Sequence, residues 1–143
     1  MPRLDTRLEA EAAEFLVLGH LLLNRIPADY KTYTRWPCYD LVATNPERNR
    51  AARIQVKSRW ATGAPGFLIK SFVSDFVVVV KLNRGRTKVG GIAAAPEYFV
   101  FPTAVIKRVC CTGNWSKAFF KDIKHCDDYR DAWSLIAEFL SRD

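Results

Sequence analysis

YDLVATNPERNRAARIQVKSR, residues Tyr39 to Arg59, places a lone aspartate on one apolar alternation and a glutamine–lysine pair on the next. Tyr39 to Ala43 reads as a strand, and "TNPERNR" as a turn of Asn, Pro and charged residues. "ARIQVKS" then resumes as a strand, with Ile54 and Val56 on one face and Arg53, Gln55 and Lys57 on the other. A hairpin would lay Asp40 alongside Gln55 and Lys57, so the three side chains can meet at one point. Taken singly, each residue has a plainer account: Asp40 as a strand terminator, Gln55 and Lys57 as a solvated polar face. Their order and spacing together favour a shared site.

The flanking sequence supplies the rest of a fold. Thr6 followed by Glu9 forms a capping box, so a helix starts near residue 6 and is closed by Asn24 and Pro27. Leu8, Ala12, Phe15, Gly19, Leu22 and Leu23 fall on one of its faces. "DYKTYT" (29–34) alternates as a strand. After a Gly/Pro break at "ATGAPGF", the run "DFVVVVKL" (75–82) is a strand buried on both faces, as at a sheet centre. "NRGRTKVGG" is a basic turn and "EYFVF" a further strand, while 103–126 reads as short helix plus irregular structure. Tyr129, Ala132, Trp133, Ile136, Phe139 and Leu140 recur at helical spacing. The order predicts an α/β (α+β) fold, a central mixed sheet flanked by helices, in one domain over residues 1–143.

Charge and cysteines narrow the function classes. Lys and Arg outnumber Asp and Glu 22 to 15, a net charge of +7 that favours an anionic partner, most simply nucleic acid. Cys38, Cys110, Cys111 and Cys126 show no CxxC pair, and with no signal peptide they read as reduced thiols in a cytoplasmic protein. Cys110, Cys111, His125 and Cys126 hold zinc-ligand types at spacings that do not suit zinc, and small buried thiols are the better account. "FLVLGHLLL" is too short to span a bilayer, which argues for a soluble protein without a membrane partner. His20 reads as packing at its helix edge, Asp75 as a turn residue, and Trp36, Trp60 and Trp115 as core more than base-stacking residues.

Asp40, the amide oxygen of Gln55 and Glu14 from the first helix would make an oxygen-rich pocket suited to Mg²⁺ or Mn²⁺. Lys57 beside it could orient or deprotonate a water and offset charge on a phosphate. Pro37, Asp40, Gln55 and Lys57 resemble the PD-(D/E)XK nuclease superfamily, whose motif is an aspartate on one strand and acid-X-lysine on the next. "AAEFLVLGHLLLNR" is similar to its first helix, with Glu14 matching a glutamate near the metal. "PCYDLVA" is similar to its aspartate strand and "DFVVVV" to its core strand, so the resemblance covers roughly residues 8 to 106. Within the superfamily the pattern is most similar to small endonucleases associated with group I introns, some of which carry glutamine at the acid position.

The resemblance implies a restriction-endonuclease-like fold and a Mg²⁺-dependent endonuclease acting on double-stranded DNA. Asp40, Gln55 and Glu14 would hold the metal, with Lys57 completing the catalytic set. Arg48, Arg50, Arg53 and Arg59 flank the motif and are candidate phosphate contacts, as are Arg84, Arg86 and Lys88 on the "NRGRTK" turn. One small domain covers only part of a duplex, so a homodimer or tetramer is expected. Neutral Gln55 should hold a cation more weakly than glutamate, and the alternative is a DNA-binding module that does not cut. A protein-interaction domain is a third reading, disfavoured by the charge.

Overall fold

The computed structural model describes residues 6–30, 39–85, 92–110 and 116–142. Helix α1 (Thr6–Leu23) is followed by β1 (Ala28–Tyr30), β2 (Leu41–Asn45), β3 (Arg50–Arg59), β4 (Gly66–Leu68), β5 (Phe76–Lys81) and β6 (Glu97–Pro102). Helix α2 (Thr103–Val109), β7 (Lys117–Phe119) and helix α3 (Ser134–Leu140) complete the chain. Five strands form one sheet in the order β1-β2-β3-β5-β6, and β4 pairs with β7 in a separate ribbon. The β3–β5 pairing is parallel and the others antiparallel, so the sheet is mixed, as the sequence predicts.

Strand β5 explains the layering. Phe76 to Val80 are all buried, Phe76, Val78 and Val80 on one face and Val77 and Val79 on the other. The first face packs with Ala52, Ile54, Tyr98 and Val100 under Val17 and Leu21 of α1 and Ile136 and Leu140 of α3. Opposite, Phe99, Phe101, Phe67, Ala118 and Ile106 form a second core beneath α2 and the β4–β7 ribbon. That ribbon sits where the sequence predicted a Gly/Pro break and irregular structure. Gly66 is required there, because a Cβ would collide with the Ala118 carbonyl across the pair.

The start and end of α1 agree with expectation, but the orientation implied by its apolar stripe does not. Ala13, Val17 and Leu21 are buried, whereas Leu8, Phe15, Leu22 and Leu23 are exposed. The helix is apolar on two opposite faces, so periodicity alone could not choose between them. The face with the smaller residues packs inward, where Ala13 lets the helix approach the sheet. The closing helix keeps its face, with Trp133, Ile136 and Leu140 buried, and is confined to Ser134–Leu140. His20 is half-buried, its ring stacked 5.5 Å from that of Trp133. Half-buried Trp60 packs on the first core, and Trp36 and Trp115 lie outside the described residues, as does most of the "DYKTYT" strand.

The β2–β3 turn is built as its sequence suggests. Asn45 accepts from Glu47 N at 3.2 Å, and Asn49 closes the 3-10 turn Pro46–Arg48 in the left-handed region at φ 51°. Asn45 also donates to the Leu140 carbonyl at 3.0 Å, tying α3 to the hairpin. At the other face Asp75 is more than a turn residue. Its carboxylate accepts from Arg53 N at 2.8 Å, its own N–H donates to the Arg53 carbonyl, and its carbonyl accepts from Thr103 N. Asp75→Ala should therefore lower stability by about 1–3 kcal/mol through an orphaned backbone donor. Urea denaturation measures it, and a loss within experimental error would mean that Arg53 N finds water instead.

Candidate active site

The site lies where β2 begins. The β2–β3 register ends at Leu41 opposite Ile54, so one step further sets Asp40 beside Gln55. Asp40 N donates to the Ile54 carbonyl at 2.8 Å. Val56 N then donates to Asp40 Oδ2 at 2.7 Å. A side chain thus takes over the ladder at the point where the β2 backbone leaves it, which fixes the carboxylate between the strands. Among the described residues the bond to Val56 engages Oδ2, not Oδ1.

Gln55 and Lys57 share the β3 face that looks toward the second core, level with Val77 and Val79 of β5. Gln55 is buried, and its Nε2 donates to the Ser71 carbonyl at 3.0 Å. A carbonyl can only accept, so the amide is oriented and Oε1 is its acceptor end. Lys57 is half-buried. Burial holds its ammonium below the usual lysine range, Asp40 pulls it back up, and Lys70 pushes it down. Lys70 and Ser71 come from the crossover joining β4 to β5, a contribution that no motif announced.

Glu14 reaches this corner from a different element. It sits on α1, on the other side of the sheet, beside the buried phenol of Tyr30. Burial and the charges of Glu14, Glu11 and Asp40 push the Tyr30 phenol up to about 12. Asp40 and Glu14 therefore act on the same hydroxyl. Among the described residues no three His, Cys, Asp or Glu side chains come close enough to hold a metal ion. Two strand-held oxygens, Asp40 Oδ1 and Gln55 Oε1, are of the type that a hard cation takes. Mg²⁺ suits such a sparse set because it keeps several of its waters. Half-buried Cys110 and Cys126 belong to no metal-binding group among the described residues.

The basic residues do not gather around the trio. Arg53 forms an ion pair with Asp75 at 3.5 Å, and Arg59 donates to the Gly66 carbonyl. Arg50 lays its guanidinium over the Phe139 ring at 4.8 Å, near Arg48 at the far end of β3. From Arg50 to Lys57 the strand runs roughly 23 Å at about 3.3 Å per residue. Arg84 donates to the Leu82 carbonyl at 2.9 Å and to that of Ala94, bracing its own loop. Arg86 and Lys88 lie outside the described residues. Lys70 stands nearer the trio than Arg48 or Arg50, and nothing in the sequence marked it.

The fold is a five-stranded mixed sheet between helices, of restriction-endonuclease-like type. Two solved structures share it. One is a bacterial homing endonuclease, I-Ssp6803I, at a TM-score of 0.62 and 20% identity over 94% of each chain. The other is Hjc, a Holliday junction resolvase of Archaeoglobus fulgidus, at a TM-score of 0.51 and 18% identity over 80% of this chain and 87% of that one. No family model matches the sequence, and no curated protein is similar to it.

Lys57 gives the site a measurable pH signature. Its folded pKa lies below the ordinary 10.5, so between the two values the unfolded chain binds more protons than the folded one. Stability then rises with pH through that window, and the cost of the buried ammonium is present in full below the folded pKa. Lys57→Met should raise stability at neutral pH, with a gain that shrinks as pH approaches 10.5. Paired urea titrations of both proteins across pH 7 to 10.5 test it (the difference between them cancels the other groups). A gain independent of pH would show that the ammonium carries no such burden.

Proposed function

We propose that this protein is a PD-(D/E)XK-type endonuclease that hydrolyses phosphodiester bonds of double-stranded DNA with Mg²⁺ or Mn²⁺. The observation that carries the reading is the clamp of the Asp40 carboxylate onto Val56 N–H. It holds an anionic oxygen, an oriented amide oxygen and a desolvated lysine at one corner of a nuclease fold. The likeness to a homing endonuclease and a junction resolvase supports DNA as the substrate, and the net charge agrees.

In this reading Asp40 and Gln55 hold the cation, and Glu14 joins through water. The cation supplies charge neutralisation and acidifies water. Lys57, whose depressed pKa brings it nearer to working pH, orients the attacking water and offsets the charge that grows on the phosphate. Lys70 adds a second positive charge on the same side. Arg53 and Arg59 assist with the phosphate backbone, and Arg84, Arg86 and Lys88 extend its reach. Arg48 and Arg50, distant along β3, would touch DNA beyond the scissile phosphate. Cutting both strands needs two sites, so the active species is a homo-oligomer, a dimer or tetramer, working in the cytoplasm. No helix of the described residues is long and apolar enough to cross a membrane.

The second reading, a DNA-binding module that does not cut, is favoured by one feature: the position expected to carry an acid holds neutral Gln55. Plasmid nicking with and without Mg²⁺ separates the two readings. Asp40→Ala or Lys57→Ala should abolish nicking while leaving DNA affinity within about threefold, since neither residue reads the grooves. Wild-type nicking by Lys57→Ala would remove lysine from the mechanism. Gln55→Glu should strengthen the cation response, because a carboxylate is the better ligand. The same variant should be less stable without cation, having lost the donor to the Ser71 carbonyl.

A further inference from the structure

The face of α1 turned away from the sheet has no partner among the described residues, although Phe15 touches the Tyr30 ring at 4.9 Å. Leu8 is 67% exposed, Phe15 56%, Leu22 52% and Leu23 78%. With Ala12 and Gly19 these side chains form one continuous stripe, directly opposite the buried Ala13–Val17–Leu21 line. The stripe runs the length of an 18-residue helix, about 27 Å, and exposed apolar patches of this kind mark interaction sites.

We propose that this stripe is a two-fold interface on which α1 pairs antiparallel with α1 of a second copy of the chain. Its layout is self-complementary about Phe15. Reversing the helix sets Leu8 against Leu22 of the copy and Ala12 near Gly19, with the two Phe15 rings at the axis. Nothing lies within 4 Å of a Cβ placed on Gly19, so the small pair leaves room for close approach of the two helices. Charge selects the direction. Glu9, Glu11 and Glu14 outnumber Arg7 in the first half of α1, while the second half carries no acid and leads to Arg25. Antiparallel pairing sets each acidic half against the uncharged half that leads to Arg25 of the copy, whereas parallel pairing stacks the acids together. One helix face falls short of the about 800 Å² per partner of a standard interface, so the dimer is concentration-dependent.

The proposal gives an interface to the homo-oligomer of the nuclease reading, and it is tested without DNA, so its failure leaves the cleavage chemistry standing. Sedimentation of the full chain, from submicromolar to submillimolar concentration, should show a reversible monomer–dimer equilibrium. Leu8→Lys places a cation near Arg25 of the copy, and Leu22→Glu places an anion near its Glu9 and Glu11. Each should weaken dimerisation at least tenfold while circular dichroism stays unchanged. Combining the two substitutions should restore the dimer, since each altered residue then faces its opposite charge. A wild-type chain that stays monomeric at every concentration would overturn the proposal. So would a dimer that ignores both single changes, or one that the combined variant fails to restore.

Discussion

Strand β5 has no face open to water, and that constraint organises the rest of the molecule. Phe76 to Val80 can be buried only if apolar material covers both sides of the sheet centre. Helices α1 and α3 cover one side, and α2 with the β4–β7 ribbon covers the other. The parallel step from β3 to β5 follows, since parallel neighbours need a crossover long enough to return the chain to its starting end. That crossover is not a passive connection. Running from Trp60 to Asp75, it delivers the Ser71 carbonyl to Gln55 and the Lys70 charge to Lys57. Core packing and site assembly are thus one topological decision.

The Asp40 carboxylate shows how closely folding and chemistry are joined at this corner. Where β2 begins, Val56 N–H has lost its backbone partner, and an unsatisfied donor at a half-buried strand is costly. Asp40 supplies the acceptor, and in doing so its carboxylate is aimed with the precision of the ladder itself. Lys57 experiences the opposing side of the same arrangement. Burial and Lys70 act against its charge, and Asp40 alone among its named neighbours favours it. Any further anionic group brought close would favour the ammonium in the same way as Asp40.

Much of this was legible in the sequence, for identifiable reasons. The hairpin, the doubly buried strand and the ends of α1 were readable because turn residues, a run of valines and a capping pattern each have one structural meaning. Asp40, Gln55 and Lys57 were readable because strand period and hairpin register alone bring them together. The inward face of α1 was not, since two apolar stripes give one periodicity. Lys70 and Ser71 were hidden because a crossover's path depends on tertiary packing. Arg48 and Arg50 flank the motif in sequence, but along an extended strand each residue adds about 3.3 Å, so they lie well down β3 from the trio. Arg53, Arg59 and Arg84 look like free cations in a sequence, yet each spends its guanidinium on a nearby carboxylate or carbonyl.

Helix α1 connects the two surfaces that matter most. Its inner line, Ala13, Val17 and Leu21, anchors it to the sheet, and the edge between its faces carries Glu14 beside Tyr30. Phe15 lies one residue on, in the outer stripe, with its ring edge-on to the same tyrosine. The Tyr30 phenol in turn feels both Glu14 and Asp40. A partner seated on the stripe would exclude water from Phe15 and lower the dielectric around that phenol and its carboxylates. Charge repulsion between Glu14 and Asp40 would then strengthen. The same helix that closes one side of the core would in this way let assembly act on the site through electrostatics, without any movement of the sheet.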